Sequence, residues 1–200
     1  MKIQLLLFDG FDELDAIAPF EVLQNAAAAG GFEVELVTAE DVDIVTASHG
    51  LQIKPQGQIS LDSKVDLLIV PGGNWNNPGA RGVRTEIEQG RIPPIISHLH
   101  QTGAIIAGVC TGAMLIAEAG LLQGRNAITH YSAIADLRAK GAEIVQARVV
   151  DDGDIMTSGG VTSGLDLALW IVEKFAHPNI AQQVEMRMEY ERRGIVWRRS

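Results

Sequence analysis

The chain has a single cysteine, Cys110, in 200 residues. One thiol cannot close an intramolecular disulfide or build a multi-cysteine zinc site, and it fits a reducing compartment. Long apolar runs are missing too. The opening MKIQLLLFDGFDELD is apolar for only a few residues before acidic ones follow, which fits neither a secretory signal nor a membrane span. The expected location is the cytoplasm. Positive charge is not in excess: 25 Asp and Glu stand against 16 Lys and Arg, a formal net charge of −9 with a pI near 5.0. That balance argues against a nucleic-acid surface. The one locally basic stretch, MRMEYERRGIVWRRS, reads as a solvated helix end. No Ser/Gly-rich linker, charge block, low-complexity tract or internal repeat divides the chain, so one domain spanning residues 1–200 is expected.

What is present is an alternation of short apolar runs and longer periodic segments. An apolar fraction of 46% with 20% charged residues is enough for a sizeable buried core. KIQLLLF has the length of a buried parallel strand and stops at Asp9-Gly10; DAIAPFEVLQNAAAAGG then places Ile17, Phe20, Leu23 and Ala27 at helical spacing. FEVELVTA is a strand, VDIVTASHGLQIKP a hairpin or two short strands about Gly50, and VDLLIVPGG a strand cut off at Pro71-Gly72-Gly73. A helical stretch with a break expected at Pro93-Pro94 leads to the strand AIIAGV. Beyond Cys110 the spacing predicts a helix closed by Gly120, a short strand NAITHY reaching His130, a helix SAIADLRAKG, and two strands around Asp152-Gly153. A long helix with Leu165, Leu169, Val172 and Phe175 on one stripe follows, then a last helix. Such an order predicts a mostly parallel sheet with helices on both faces.

In open sheets of this kind ligands bind beyond the carboxyl ends of the strands. Asp15, Gly72-Gly73 and Cys110 all fall there. A cysteine between a strand and a helix sits on a sharp turn, with the new helix's free amides aimed at it, which favours the thiolate and lowers the pKa. The competing reading is a buried structural cysteine. The small neighbours Gly108 and Gly112 suit the tight turn. The Gly73 amide, with that of Thr111, would form a two-donor oxyanion site, or Gly72-Gly73 is a plain turn. Asp15 is either a helix N-cap, with Pro19 in the first turn, or a general acid/base carried to the thiol. His130 is a third polar group at this edge or an ordinary loop histidine. Trp75 lines the pocket or belongs to a surface or interface. His98 and His100, two apart on a helix, are poor metal ligands, and no metal is expected.

LDAIAPFEVL, VPGG, VCTGA, GLLQGR and THY together resemble the ThiJ/PfpI superfamily, relatives of the class I glutamine amidotransferase domains, over nearly the whole chain. The details VCTG, AGLLQGR-x-A-x-TH and the Asp ahead of a Pro look like the isonitrile hydratase branch and the sensor domains of AraC-type regulators. The resemblance implies a flavodoxin-like three-layer α/β sandwich, a homodimer, Cys110 as nucleophile, Asp15 as its carboxylate and Thr111 as a neighbouring hydroxyl and amide. Two departures narrow the chemistry: the PfpI-type proteases carry His where this chain has Thr111, and the glyoxalase-like members carry Glu where it has Asp15. The implied activity is the cofactor-independent addition of water to isonitriles through a Cys110 thioimidate. A glyoxalase-like enzyme and a non-catalytic thiol sensor or small-molecule binding module are the alternatives.

Overall fold

The computed structural model describes residues 1–199. The chain opens with β1 (Lys2–Leu7), α1 (Glu13–Gly30) and β2 (Glu33–Thr38). An antiparallel hairpin, β3 (Val45–Thr46) and β4 (Gln52–Ile53), and the short β5 (Gly57–Gln58) follow. β6 (Leu67–Val70) leads through α2 (Val83–Gln89) and α3 (Ile92–Gln101) to β7 (Ile105–Val109) and α4 (Gly112–Glu118). The remainder is β8 (Asn126–Ala127), a 3-10 turn over Tyr131–Ala133, α5 (Ile134–Ala139), β9 (Glu143–Ile144), β10 (Val149–Asp151), β11 (Ile155–Ser158), α6 (Ser163–Phe175), α7 (Pro178–Met188) and β12 (Val196–Arg198).

Eight strands form one sheet in the order β12-β10-β11-β7-β6-β1-β2-β5, parallel throughout except where β10 meets β11. β1, β6, β7 and β11 are buried over almost their whole length, as strands covered on both faces must be. The chain moves from β1 outward to β2, then returns to β6 and β7 on the other side of β1. Right-handed crossovers in opposite directions put their helices on opposite faces. α1, α6 and α7 accordingly contact one another, and α2 to α5 form a second set, which gives the expected three layers. Each fully buried Leu or Ile of the central strands contributes on the order of 1.5–3 kcal/mol. At the reversal, the loops after β1 and β6 diverge and open a crevice at the carboxyl ends of the strands.

Several elements differ from expectation. α1 begins two residues before Asp15, so Asp12 is its N-cap and Asp15 lies inside the first turn. Pro19 therefore falls in the second turn, where its missing N–H leaves the Asp15 carbonyl without its helical donor. α1 buries Ala16, Pro19, Val22, Leu23 and Ala26 because it packs on α6 and α7 as well as on the sheet, and Ile17, Phe20 and Ala27 are only partly buried. The break between α2 and α3 comes at Gly90-Arg91, not at Pro93-Pro94. Both prolines sit in the first turn of α3, where no intrahelical bond is lost. The strand before His130 ends at Ala127, and His130 instead caps the 3-10 turn. α6 is buried nearly all round from Asp166 to Val172, wider than one stripe. Only Met186–Met188 of the basic stretch form the end of a helix, α7; beyond them Val196–Arg198 adds to the sheet beside β10. No described helix is long and apolar enough to cross a membrane.

Candidate functional site

Cys110 follows the last residue of β7 and precedes α4, with φ of +56°. A side-chain-bearing residue in that left-handed region costs on the order of 1–3 kcal/mol unless its surroundings hold it. Here the Cys110 amide donates to the Gly159 carbonyl at 3.0 Å, and the Cys110 carbonyl accepts the Thr129 hydroxyl at 2.8 Å. The elbow is thus pinned from the β11–α6 loop and from the segment after β8. The elbow also has to lie close against β6. At Gly112 a β-carbon would overlap the Val70 carbonyl, so the first turn of α4 passes there only without a side chain.

Asp15 reaches the same point from α1. Its side chain is fully buried, and its Oδ2 accepts the Gly72 amide at 2.9 Å. The Gly73 amide donates to Thr111 Oγ1 at 3.0 Å. A β-carbon on Gly72 would overlap Thr111 and stand 2.9 Å from Asp15 Oδ2, so this glycine permits the two side chains to meet. Asp15 Oδ1 is buried with no hydrogen-bond partner, and the Cys110 thiol lies beside the same carboxyl.

Burial and the nearby Asp12 push the Asp15 carboxyl well above its ordinary range, against the opposing pull of the Gly72 amide and the thiol. Burial, and then the Asp15 charge, push the Cys110 thiol up to about 12, although the amides of Val161 and Thr111 favour its anion. This overturns the lowered pKa expected of an elbow. The helix-start amides are present, but Cys110 is only 6% exposed, and loss of water outweighs them. Across neutral pH the pair holds at most one negative charge. Burial also lowers the His130 pKa, so its ring is neutral, with Nδ1 2.8 Å from Ser132 Oγ.

Cys110, Thr111, Gly73, Trp75, His130 and Val161 line one cavity of about 280 Å³. All the sequence candidates thus converge, with Asp15 and Gly72 directly behind this wall. The expected oxyanion donors are used differently: the Gly72 and Gly73 amides hold Asp15 and Thr111, and the amides facing the sulfur are those of Thr111 and Val161. Val161, β-branched yet at φ +39°, carries no sequence signal for that conformation. Asp12, which lines the cavity and couples to Asp15, is signalled only by the spacing in FDELD. A second cavity of about 250 Å³, beyond β1 and β2, is lined by charges already paired, Arg81 with Asp9 and Arg91 with Glu40. Among the described residues, no three His, Cys, Asp or Glu side chains converge as metal ligands do.

The fold and this arrangement define a three-layer α/β protein with one thiol on a strand-to-helix elbow, set against a buried carboxyl at the switch of the sheet. Residues 1–174 match the DJ-1/PfpI family, and the chain belongs to that family. It is 35% identical to an isonitrile hydratase of Pseudomonas putida over 190 residues, 95% of this chain and 78% of that protein. Identity to the HTH-type transcriptional regulator CdhR of Pseudomonas aeruginosa is 30% over 185 residues, 90% of this chain and 52% of the regulator, about half its length. Among solved structures, a ThiJ/PfpI family protein from Pseudomonas syringae superposes with a TM-score of 0.85 at 27% identity, covering 96% of this chain and 76% of that one. Schizosaccharomyces pombe DJ-1 superposes at 0.80 with 20% identity over 96% of this chain and 100% of its own, a likeness of fold.

Proposed function

We propose that the protein hydrates isonitriles to N-substituted formamides, with Cys110 as nucleophile and Asp15 as general acid/base. The observation that carries this reading is the unpartnered Asp15 Oδ1 beside the chain's one thiol. The similarity to an isonitrile hydratase supports it. A thiol with a raised pKa needs a base as it attacks, and a buried carboxylate with a free oxygen supplies one. Asp15 takes the thiol proton while sulfur bonds to the terminal carbon of R–N≡C, then gives that proton to the same carbon. The product is the thioimidate R–N=CH–S–Cys110. Water then adds to that carbon, one of its protons passing through Asp15 to nitrogen. The C–S bond of the resulting adduct breaks as the hydroxyl proton returns to sulfur, which releases R–NH–CHO. The atoms balance with water as the only co-reactant, so no cofactor or metal is invoked.

The Thr111 and Val161 amides facing the sulfur offset the charge it gains and loses. Gly72 and Gly73 act as positioning residues, through the hydrogen bonds that fix Asp15 and Thr111. His130, neutral and bonded to Ser132, borders the substrate's side of the cavity. The direct test is conversion of cyclohexyl isonitrile to its formamide by the protein and by Cys110→Ala, with the variant inactive. Methylglyoxal consumed in a Cys110-dependent way, with isonitriles untouched, would favour the glyoxalase-like reading. If neither is consumed yet one protects Cys110 from alkylation, the protein is a binding module, a reading favoured by its similarity to the regulator.

The same reading includes a homodimer. Leu14 on α1 and Ile44 and Leu51 around the β3–β4 hairpin are all about half exposed, and the hairpin is tied to α1 through His49 and Glu13. Sedimentation velocity should give twice the chain mass; a monomer at micromolar concentration would remove this part.

A further inference from the structure

Trp75 lies between two spaces. One is the cavity that contains Cys110, about 280 Å³; the other is a groove of about 360 Å³ on the far side, bordered by Arg84, Ile87, Met114, Asp136 and Lys140. The indole is only 7% exposed although it belongs to the long connection between β6 and α2. A loop tryptophan so deeply buried has to be held. Its Nε1 donates to Asp136 Oδ2 at 2.8 Å from α5. The Arg84 guanidinium stacks on the ring with its carbon 3.8 Å from the centroid, and Arg84 Nε donates to the Trp75 carbonyl at 2.6 Å. Arg84 and Asp136 are themselves 3.9 Å apart, so ring edge, ring face and backbone are all clamped by one ion pair. The next residue continues the fence: Asn76 Nδ2 donates to Ser132 Oγ at 2.7 Å, and Ser132 holds His130.

The geometry points to Trp75 as the specificity-determining wall of the site, a partition that limits the size of electrophile reaching Cys110, with Asp136 and Arg84 as the residues that position it. The inference rests on Cys110 being the reacting group, though not on an isonitrile being its substrate. A partition of this kind excludes by shape: a slender or compact substituent fits between Cys110 and the indole, and a broad aryl group needs the volume now occupied by the indole. Removing the indole joins the cavity to the groove beyond and more than doubles the space open to the substituent.

The experiment measures alkylation of Cys110 by iodoacetamide and by its bulky N-pyrenyl derivative, in the wild type, Trp75→Ala, Trp75→Phe, Asp136→Ala and Asp136→Asn. The readout is the ratio of the two rates within each protein, which cancels general changes in thiol reactivity. In the wild type the ratio strongly favours the small reagent. Trp75→Ala should lower it at least tenfold and Trp75→Phe by less. Asp136→Ala should move it the same way, and Asp136→Asn, which keeps an acceptor for the indole N–H, should restore it. Asp136 is half exposed on α5, so its variants fold and decide the matter even if Trp75→Ala does not. The same ratio in all five proteins overturns the partition, and equal effects of Asp136→Ala and Asp136→Asn overturn the clamp. The kcat/KM ratio of methyl to naphthyl isonitrile should follow the alkylation ratio. If isonitriles are inert while the alkylation ratio still shifts, the proposed reaction fails and the partition stands.

Discussion

Asp15→Asn exchanges one carboxyl oxygen for an amide nitrogen on a fully buried side chain. The remaining carbonyl oxygen keeps the Gly72 amide now 2.9 Å from Oδ2, and the new NH2 group falls where Oδ1 has no partner, beside the thiol. Packing is therefore retained, and the effect on stability comes from charge. Burial and Asp12 raise the Asp15 pKa, so the folded chain keeps a proton that the unfolded chain gives up. That stabilisation is fully present below the unfolded pKa and is lost as pH rises through the folded one. Asn is neutral at every pH, so the variant gains on the wild type as pH rises across this window. Each tenfold preference of the folded chain for the protonated carboxyl is worth about 1.4 kcal/mol. For a chain of this size, each kcal/mol moves Tm by roughly 2–4 °C. Turnover moves the other way and should fall by about a hundredfold or more, because the proton relay is gone. Thermal melts at about pH 5 and about pH 8, both above the ordinary carboxyl pKa, together with isonitrile turnover, read both effects. A Tm lowered equally at both pH values would mean that Asp15 is a structural carboxylate. Full activity would remove it from the chemistry.

Gly72→Ala forces a β-carbon into Thr111 and against Asp15, so it should cost about 1–3 kcal/mol in chemical denaturation and lower turnover more than an alanine elsewhere in the loop; wild-type activity would show that the Thr111–Gly72–Asp15 contact is dispensable. Alkylation of Cys110 should keep rising with pH beyond the range where free cysteine levels off, since burial and then Asp15 hold its pKa up at about 12, and Asp15→Asn should bring the midpoint down; a plateau near neutral pH contradicts the raised pKa. The Glu13 carboxyl, pushed up by burial but held down at about 2 by His49 and Ser48, contributes stability above its unfolded pKa that fades as pH falls toward about 2. Its partner His49 is raised by the Glu13 hydrogen bond and charge, so its contribution is full below its unfolded pKa and is lost above the folded one. Protection of the β3–β4 hairpin amides, taken relative to their intrinsic exchange rates at each pH, should be greatest between about pH 4.5 and about pH 6.5, where both contributions hold, and a profile insensitive to Glu13→Gln would discard the anchor.

The buried central strands were legible because both faces of the sheet are covered, which leaves continuous apolar runs such as LLLF and LLIV. The crevice was legible for the same reason, since Asp15, Gly72-Gly73 and Cys110 each follow such a run. What local pattern could not carry was decided by contacts distant in sequence. Val196–Arg198 is a strand only because β10 offers it an open edge, and nothing in the tail's own basic composition shows that. Asp15 lies within α1 and not at its cap because Asp12 already occupies that position. The direction of the Cys110 pKa depended on how much water the folded elbow excludes, a property of the packed β11–α6 loop and of Asp15. Val161 and the Trp75–Asp136–Arg84 clamp join segments far apart in the chain, and their residue types give no sign of it.

The central claim is that an isonitrile bonds to Cys110 and that Asp15 drives its later hydrolysis. Rapid-quench intact-mass measurement on the wild type and Asp15→Asn during exposure to cyclohexyl isonitrile tests it most directly. A thiol adding across the terminal carbon loses nothing, so the account predicts a species heavier by the full mass of the isonitrile, mapped to Cys110 and transient in the wild type; in Asp15→Asn, which lacks the proton carrier for both addition and hydrolysis, it forms more slowly and, once formed, persists. Formamide released by Cys110→Ala, or produced by the wild type with no adduct at Cys110 at any quench time, would contradict it.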